Sequence, residues 1–363
     1  MPSTQHQVEF PISPKLGTGL RLFLHSQLFV TPPVPSHSFA NQTVIVTGAN
    51  TGLGLEAARH FYRLNCACLI LAVRTLEKGQ AAKEDIVRSI KARSDHDAIR
   101  VWPLDLSSTA STVAFAERVK TELPTLDALV ENAGINSATF TVVEGYEQTV
   151  QVNVLNTLLL ALMLLPKLEA ASSLSSEAVE PGLEHQHQQP HLVILSSDAH
   201  RLTKFPEINA PNLYDRLNAR DSFSQQPRYQ ATKLMEILFM RELVARLKQK
   251  RAPGSPPSVI INIVNPGLCT TNLEREAAKQ PLIVRLMRRI LDRTAEVGGR
   301  TVVLAASAPV SSHGEFQSDG MNQAVESWIY GDVGRRAQEK VFEQTLRILD
   351  ERRPGIAGEV GLT

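Results

Sequence analysis

The chain has 363 residues, 43% of them hydrophobic, and a formal net charge of +1. That is enough apolar material for a large core, while the lack of a basic field and an aromatic content of 5% argue against a nucleic-acid partner. Three cysteines, Cys66, Cys68 and Cys269, are too few and odd in number for a disulfide framework, so a reducing compartment, the cytoplasm, is expected.

Residues 1–42 read as an N-terminal extension rich in Pro, Ser and Thr. Within it, Gly19 to Val30 is apolar but interrupted by Arg21, His25, Ser26 and Gln27, and too short to cross a bilayer. It also lacks the small-residue cleavage site of a secretory signal, so it is expected to pack against the main domain or a partner subunit. The β-branched run Thr43 to Thr47 predicts a strand, followed by a glycine-rich turn and a helix over 52–64. Leu69 to Val73 is a continuous apolar run, as in a strand buried on both faces. A single residue separates Cys66 from Cys68, which suits buried thiols better than a metal or redox motif. A charged helix over 76–91, a strand over 99–103, a helix over 108–122 and a strand over 126–130 follow. Residues 143–168 read as mostly helical, 191–196 and 259–264 as strands, and 229–250, 294–306 and 334–349 as helices.

This alternation predicts an α/β fold, a doubly wound parallel sheet of the Rossmann type with right-handed crossovers. No second core pattern and no repeat is visible. One domain over 43–350 with terminal extensions, the last being residues 351–363, is preferred over two domains. Residues 171–190 look like an inserted polar loop. Its His185 and His187, with His191, lack a thiolate or carboxylate partner at fixed spacing, so no metal site is expected. Residues 199–228 and 268–290 are irregular and are expected to enclose a substrate pocket.

The turn after the first strand reads Thr47-Gly48-Ala49-Asn50-Thr51-Gly52-Leu53-Gly54. Gly48, Gly52 and Gly54 permit a tight turn and close approach of a pyrophosphate to the backbone of Asn50, Thr51 and Leu53, at a helix N-terminus with unpaired N–H groups. The second strand ends Leu71-Ala72-Val73-Arg74, where a carboxylate would favour NAD. Arg74 instead suits a 2′-phosphate, which favours NADP over NAD, unless it only caps the strand end in solvent. Later, Tyr229 and Lys233 stand four residues apart and share one helix face. An ammonium beside a phenol favours the phenolate and suits proton transfer to or from a carbonyl oxygen.

With these features in this order, the chain resembles the short-chain dehydrogenase/reductase family over roughly residues 42–272. The resemblance assigns a catalytic tetrad: Asn153 in Val152-Asn153-Val154, Ser197 ending Ile194-Leu195-Ser196-Ser197, then Tyr229 and Lys233. Ser196 is the alternative serine. It also implies cofactor contacts from Asp105, from Asn132 in Asn132-Ala133-Gly134, from Pro266 and Gly267, and from Thr271. Glu131 stands where the family has a first asparagine, a structural position. The separation of Ser197 from Tyr229 resembles the branch with retinol-dehydrogenase-like inserts, and residues 39–50 are similar to fungal members, some of which serve secondary-metabolite pathways. The resemblance implies an NADP-dependent oxidoreductase acting on a carbonyl or alcohol of an apolar small molecule. A non-catalytic NADP-binding sensor or scaffold is the alternative, and an epimerase or dehydratase a third. It further implies a homo-oligomer, with Leu158–Leu165 in a helix that often meets a second subunit.

Overall fold

The computed structural model describes residues 9–177, 189–271, 273 and 282–362. After α1 (Leu16–Phe29), strands β1 (Thr43–Thr47), β2 (Cys68–Val73), β3 (Ile99–Pro103) and β4 (Ala128–Glu131) alternate with α2 (Gly52–Arg63), α3 (Leu76–Ser89) and α4 (Thr109–Glu122). A small hairpin, β5 (Val142–Val143) and β6 (Tyr146–Glu147), leads into α5 (Gln148–Val150), a π-helical segment Gln151–Asn156 and α6 (Thr157–Glu177). Then come β7 (His191–Leu195), α7 (Leu213–Leu217), α8 (Gln225–Gln249), β8 (Ile260–Asn265), α9 (Leu282–Leu291), α10 (Ala295–Ala305), β9 (Phe316–Ser318), β10 (Met321–Gln323), α11 (Asp332–Arg352) and α12 (Ile356–Glu359).

The main sheet has eight strands in the order β10-β9-β8-β7-β4-β1-β2-β3, parallel except for β10 against β9. Side chains of a strand alternate between its faces, and here both faces are apolar. Ile45, Ile70, Leu129 and Ile194 enter the core beneath α4, α6, α8 and α11, while Val44, Val46, Leu69, Leu71 and Val193 enter the one beneath α2 and α10. That double burial explains the uninterrupted apolar runs of the sequence. From β1 the chain moves outward to β2 and β3, then returns to place β4 on the other side of β1. The resulting crevice at the carboxyl ends of β1 and β4 is where such sheets bind ligands.

The structure adds detail to several of these expectations. Leu158 to Leu165 are each at most 1% exposed within the single chain, as expected of a buried helix. The helix containing it is long and apolar enough to cross a bilayer, yet 94% of that stretch is buried in the fold. Each such buried leucine contributes about 1.5–3 kcal/mol relative to exposure. Within the terminal extension 351–363, α11 runs to Arg352, and Ile356 and Val360 are buried in the core that holds α6. The hairpins β5–β6 and β9–β10 were not expected. Of the polar loop proposed for 171–190, α6 takes residues as far as Glu177, and 178–188, with His185 and His187, lie outside the described residues. His191 is a β7 core residue whose Nε2 meets the Ala308 carbonyl at 2.9 Å, and burial lowers its pKa to about 4.

Candidate active site

The glycine turn has the geometry its sequence suggests. Gly48 and Gly52 take φ of +66° and +57°, a left-handed conformation that favours glycine. A Cβ on Gly54 would strike the Asn132 side chain and, at 2.7 Å, the Gly48 carbonyl oxygen. Thr51, extended at φ −163°, is the N-cap of α2. Asn132 ties the two halves of the crevice together, its Nδ2 donating to Thr47 O at 2.8 Å. The Thr47 hydroxyl accepts from Asn132 N at 3.0 Å and Ala133 N at 2.9 Å and donates to Glu131 Oε2 at 3.3 Å. Glu131 is thus confirmed as a structural residue, and burial, only partly offset by this bond from Thr47, holds its pKa well above the carboxylate range. Asp105 Oδ1 accepts from Ser107 N at 2.9 Å and Ser107 Oγ at 2.7 Å, which fixes its carboxylate at the rim.

Arg74 is exposed at the end of β2 and lines the same cavity as Thr75 and Lys78. Lys78 was missed in the sequence, although it lies four residues beyond Arg74, one helical turn into α3. Two cations therefore border the crevice on the side of Asp105.

At the other end, Ser196 and Ser197 are distinguished by their bonds. Buried Ser196 Oγ donates to Lys233 O at 2.8 Å. Ser197 Oγ accepts from Ala199 N at 3.1 Å, which leaves its proton for the cavity it lines. Its backbone carbonyl meets His200 Nδ1 at 2.7 Å, while His200 Nε2 accepts from Glu326 N at 3.3 Å. One ring nitrogen donates and the other accepts, so the ring is neutral, and burial together with Arg201 holds its pKa down to about 3. Asn265 was read only as part of a turn, yet its Oδ1 accepts from Asp198 N and Gly267 N, both at 3.2 Å. It couples the Ser197 loop to the Pro266-Gly267 turn.

Tyr229 and Lys233 lie in the first half of α8 and both line the cavity, with Lys233 Nζ 5.8 Å from the Tyr229 ring centre. Lys233 Nζ donates to Leu195 O at 2.8 Å and to Glu236 Oε1 at 2.8 Å. Burial pulls the lysine pKa down, but Glu236 and the nearby Tyr229 more than offset this, leaving it raised. Burial pushes Glu236 up to about 7 against the pull of Lys233. Glu236 was not singled out in the sequence, where it is one polar residue of an ordinary helix. Asn153 sits in the π-helical segment and is fully buried. Its side chain accepts from Ile135 N at 2.8 Å and donates to Ile135 O at 2.9 Å and Thr232 Oγ1 at 3.2 Å. It approaches Lys233 across Gly134, where a Cβ would lie 3.4 Å from Asn153 Oδ1 and 3.8 Å from Lys233 Nζ.

One cavity of about 640 Å3 runs from the glycine turn to Ser197, Tyr229 and Lys233. Pro266, Gly267 and Thr271 line it too, and the Thr271 methyl lies 3.5 Å from where a Cβ of Gly52 would stand. Gly267 takes φ of +79°. Of the proposed substrate wall, 272 and 274–281 lie outside the described residues. Among the described residues no group of three or more His, Cys, Asp or Glu converges to hold a metal.

An open parallel sheet whose switch-point crevice carries a glycine turn and a converging Ser-Tyr-Lys set defines an NAD(P)-dependent oxidoreductase. Known proteins agree. The short chain dehydrogenase family model matches residues 42–175. A short-chain dehydrogenase of Penicillium roqueforti is 39% identical over 337 residues, covering 92% of this chain and 84% of that protein. One from Emericella nidulans is 42% identical over 294 residues, covering 80% and 87%. The structure of a short chain dehydrogenase of Shigella flexneri complexed with NADP has a TM-score of 0.52 at 20% identity over 78% of this chain and 98% of that one, a likeness of fold. The chain belongs to the short-chain dehydrogenase/reductase family, and it is an oxidoreductase.

Proposed function

We propose that this enzyme uses NADP to interconvert a carbonyl and an alcohol on an apolar small molecule. The single cavity that joins the glycine turn to Ser197 and Tyr229 carries the reading. The cradle fits a dinucleotide: its glycines let the turn pack closely on Asn132 and Ala133 and bring the chain to the N-terminus of α2, whose first-turn N–H groups favour an anion. Gly48, Asn50, Thr51, Gly52, Leu53 and Gly54 would hold the pyrophosphate end, with Asp105 and Asn132 beside the adenosine half. Pro266, Gly267 and Thr271 would border the nicotinamide. Arg74 and Lys78 support NADP over NAD, since a cation and not a carboxylate ends β2 and a second cation, in α3, lines the same cavity. Bound there, the nicotinamide supplies or accepts the hydride.

In this reading the chain's own residues handle the oxygen and the proton. Ser197 donates a hydrogen bond to the substrate oxygen, and Tyr229 gives or takes the proton there. Lys233, charged and held in place by Leu195 and Glu236, favours the Tyr229 phenolate and reaches the ribose. Asn153 fixes the backbone at Ile135 and holds a water that relays protons to Lys233. The irregular segment 199–228 forms part of the substrate wall. A role in secondary metabolism belongs to this reading and is supported by kinship with fungal short-chain dehydrogenases. Three free thiols support the cytoplasm as the compartment.

The test is a paired titration with NADPH and NADH, followed by turnover of a carbonyl panel. Tyr229→Phe is expected to abolish turnover and leave NADPH affinity within about twofold of wild type, since it removes a proton donor and keeps the ring. Absence of binding by either cofactor, or an active Tyr229→Phe enzyme, sinks the proposal.

A further inference from the structure

The N-terminal segment is built into the active site. Phe10 is buried, and its N–H donates to Asn209 Oδ1 at 2.9 Å. The N–H of Lys15 donates to Glu326 Oε1 at 2.9 Å. From there α1 crosses the cavity mouth, packing on the turn Asp198–Leu202 that follows Ser197 and on α9. Gly19 is buried against Arg201, where even a Cβ would lie at an ordinary contact distance of 3.4 Å from Cδ.

The far end of the helix is anchored to the turn after β8. Gln27 Nε2 donates to Leu268 O at 3.0 Å and Leu291 O at 2.8 Å, and its Oε1 accepts from Leu268 N at 3.2 Å. Gly267 leaves the space this contact needs, since a Cβ there would lie 2.5 Å from Gln27 Oε1. Buried Arg293 reaches Ser26 O at 2.8 Å, Val30 O at 3.0 Å and Asp319 Oδ1 at 2.7 Å. The Arg293 contacts with Ser26 and Asp319 are buried and would leave unsatisfied groups if the helix swung away, while those of Gln27 are part-buried.

With both ends fixed, the helix lays one face along the cavity, with Gly19 buried, Phe23 and Gln27 partly buried and Leu20 57% exposed. Residues three and four apart share a face, and Gly19, Leu20, Phe23 and Gln27 follow that spacing. Gly19, Leu20 and Phe23 line the catalytic cavity, and so do Leu202 and Leu273. Phe23 therefore offers an aromatic ring and Leu20 an aliphatic branch to whatever lies against Ser197, Tyr229 and the Leu268 turn. Ligand sites of this size are lined mostly by apolar side chains with a few polar groups that set orientation.

We propose that α1 is the substrate-side wall of the active site, with Phe23 and Leu20 selecting an apolar carbonyl compound large enough to reach them over a small one. This rests on the oxidoreductase reading above and adds to it the class of substrate and the residues that choose it. The wall touches the substrate half of the cavity and leaves the adenosine half alone.

The test uses the full-length protein and two probes, phenanthrenequinone, a flat three-ring dicarbonyl, and diacetyl, a small acyclic one. Wild type and Phe23→Ala, Phe23→Leu and Leu20→Ala variants are compared for NADPH affinity, for KM and kcat, and by calorimetric binding of phenanthrenequinone to the NADP-loaded protein. NADPH affinity is expected to stay within about twofold in every variant, which separates this proposal from failure of the cofactor reading and from misfolding. For phenanthrenequinone, KM and the calorimetric Kd are expected to rise roughly tenfold in Phe23→Ala, the equivalent of one good aromatic contact. Phe23→Leu is expected to recover part of the loss, while kcat/KM for diacetyl changes less than about twofold. Equal losses on both probes, unchanged phenanthrenequinone binding in Phe23→Ala, or no binding of phenanthrenequinone to wild type that binds NADPH overturns it. If turnover is absent in all proteins, the calorimetric comparison alone decides.

Discussion

Glu236→Ala removes the counter-ion of Lys233, the lysine to which the proposed mechanism assigns the tuning of Tyr229. In the wild type the side chains of Lys233 and Glu236 are 7% and 2% exposed, with Nζ and Oε1 2.8 Å apart. The alanine variant leaves an ammonium in the core hydrogen-bonded to the Leu195 carbonyl. Breaking a buried pair by removing one partner costs about 3–5 kcal/mol. The lysine can relieve that cost only by losing its proton, at about 1.4 kcal/mol per pKa unit, and then Tyr229 loses the cation beside it. Urea denaturation at pH 8 is expected to show the loss of stability. A smaller loss is expected to come with a fall in kcat, the sign of a neutral lysine. Glu236→Gln, which keeps the shape and an acceptor oxygen, is expected to fall between wild type and Glu236→Ala.

The pH dependence has a definite sign. The folded-state pKa of Glu236 is raised from the ordinary 4.5 to about 7. Relative to its protonated form, this buried carboxyl therefore contributes stability that is present below about pH 4.5 and lost as pH rises through about 7, and at pH 8 it is the ionised partner of Lys233 that the alanine variant removes. That slope is expected to vanish in both variants. Less than about 1 kcal/mol of destabilisation in Glu236→Ala, with unchanged kcat, refutes the reasoning, since an exposed pair is worth no more than that.

Other outcomes follow from the same geometry. Arg74→Ala and Lys78→Ala are each expected to weaken NADPH binding roughly tenfold and leave NADH binding unchanged in a fluorescence titration, because each removes a charge-assisted contact to a phosphate that NADH lacks. Gly54→Ala places a methyl against Asn132 and the Gly48 carbonyl, so it is expected to cost about 1–3 kcal/mol in a denaturation series and to abolish cofactor binding. Glu131→Gln is expected to raise stability at pH 8. The raised pKa of Glu131 means that its contribution is lost as pH rises, and a neutral amide of the same shape removes the dependence, seen as a flatter plot of stability against pH.

The sequence by itself determined what depends on neighbours along the chain. The strands at Thr43–Thr47 and Ile99–Pro103 came out with the bounds observed, because a β-branched or apolar run between turn residues is a local signal. The glycine turn was legible for the same reason: φ of +66° at Gly48 is a demand on one residue, met by glycine. Tyr229 and Lys233 were legible because a helix converts a spacing of four into a shared face. Tertiary structure decided what depends on burial and distant contact. Glu236 is an unremarked helix residue until strand β7 and α8 close around it and exclude the water that would screen its charge. Ser196 and Ser197 are adjacent and chemically identical, and the Lys233 carbonyl separates their roles. The apolar stretch in residues 1–42 showed that it would bury itself somewhere, but not where. Its place over the cavity rests on Gln27 with Leu268 and Arg293 with Ser26, partners more than two hundred residues apart, and no periodicity within a segment encodes a partner that far along the chain.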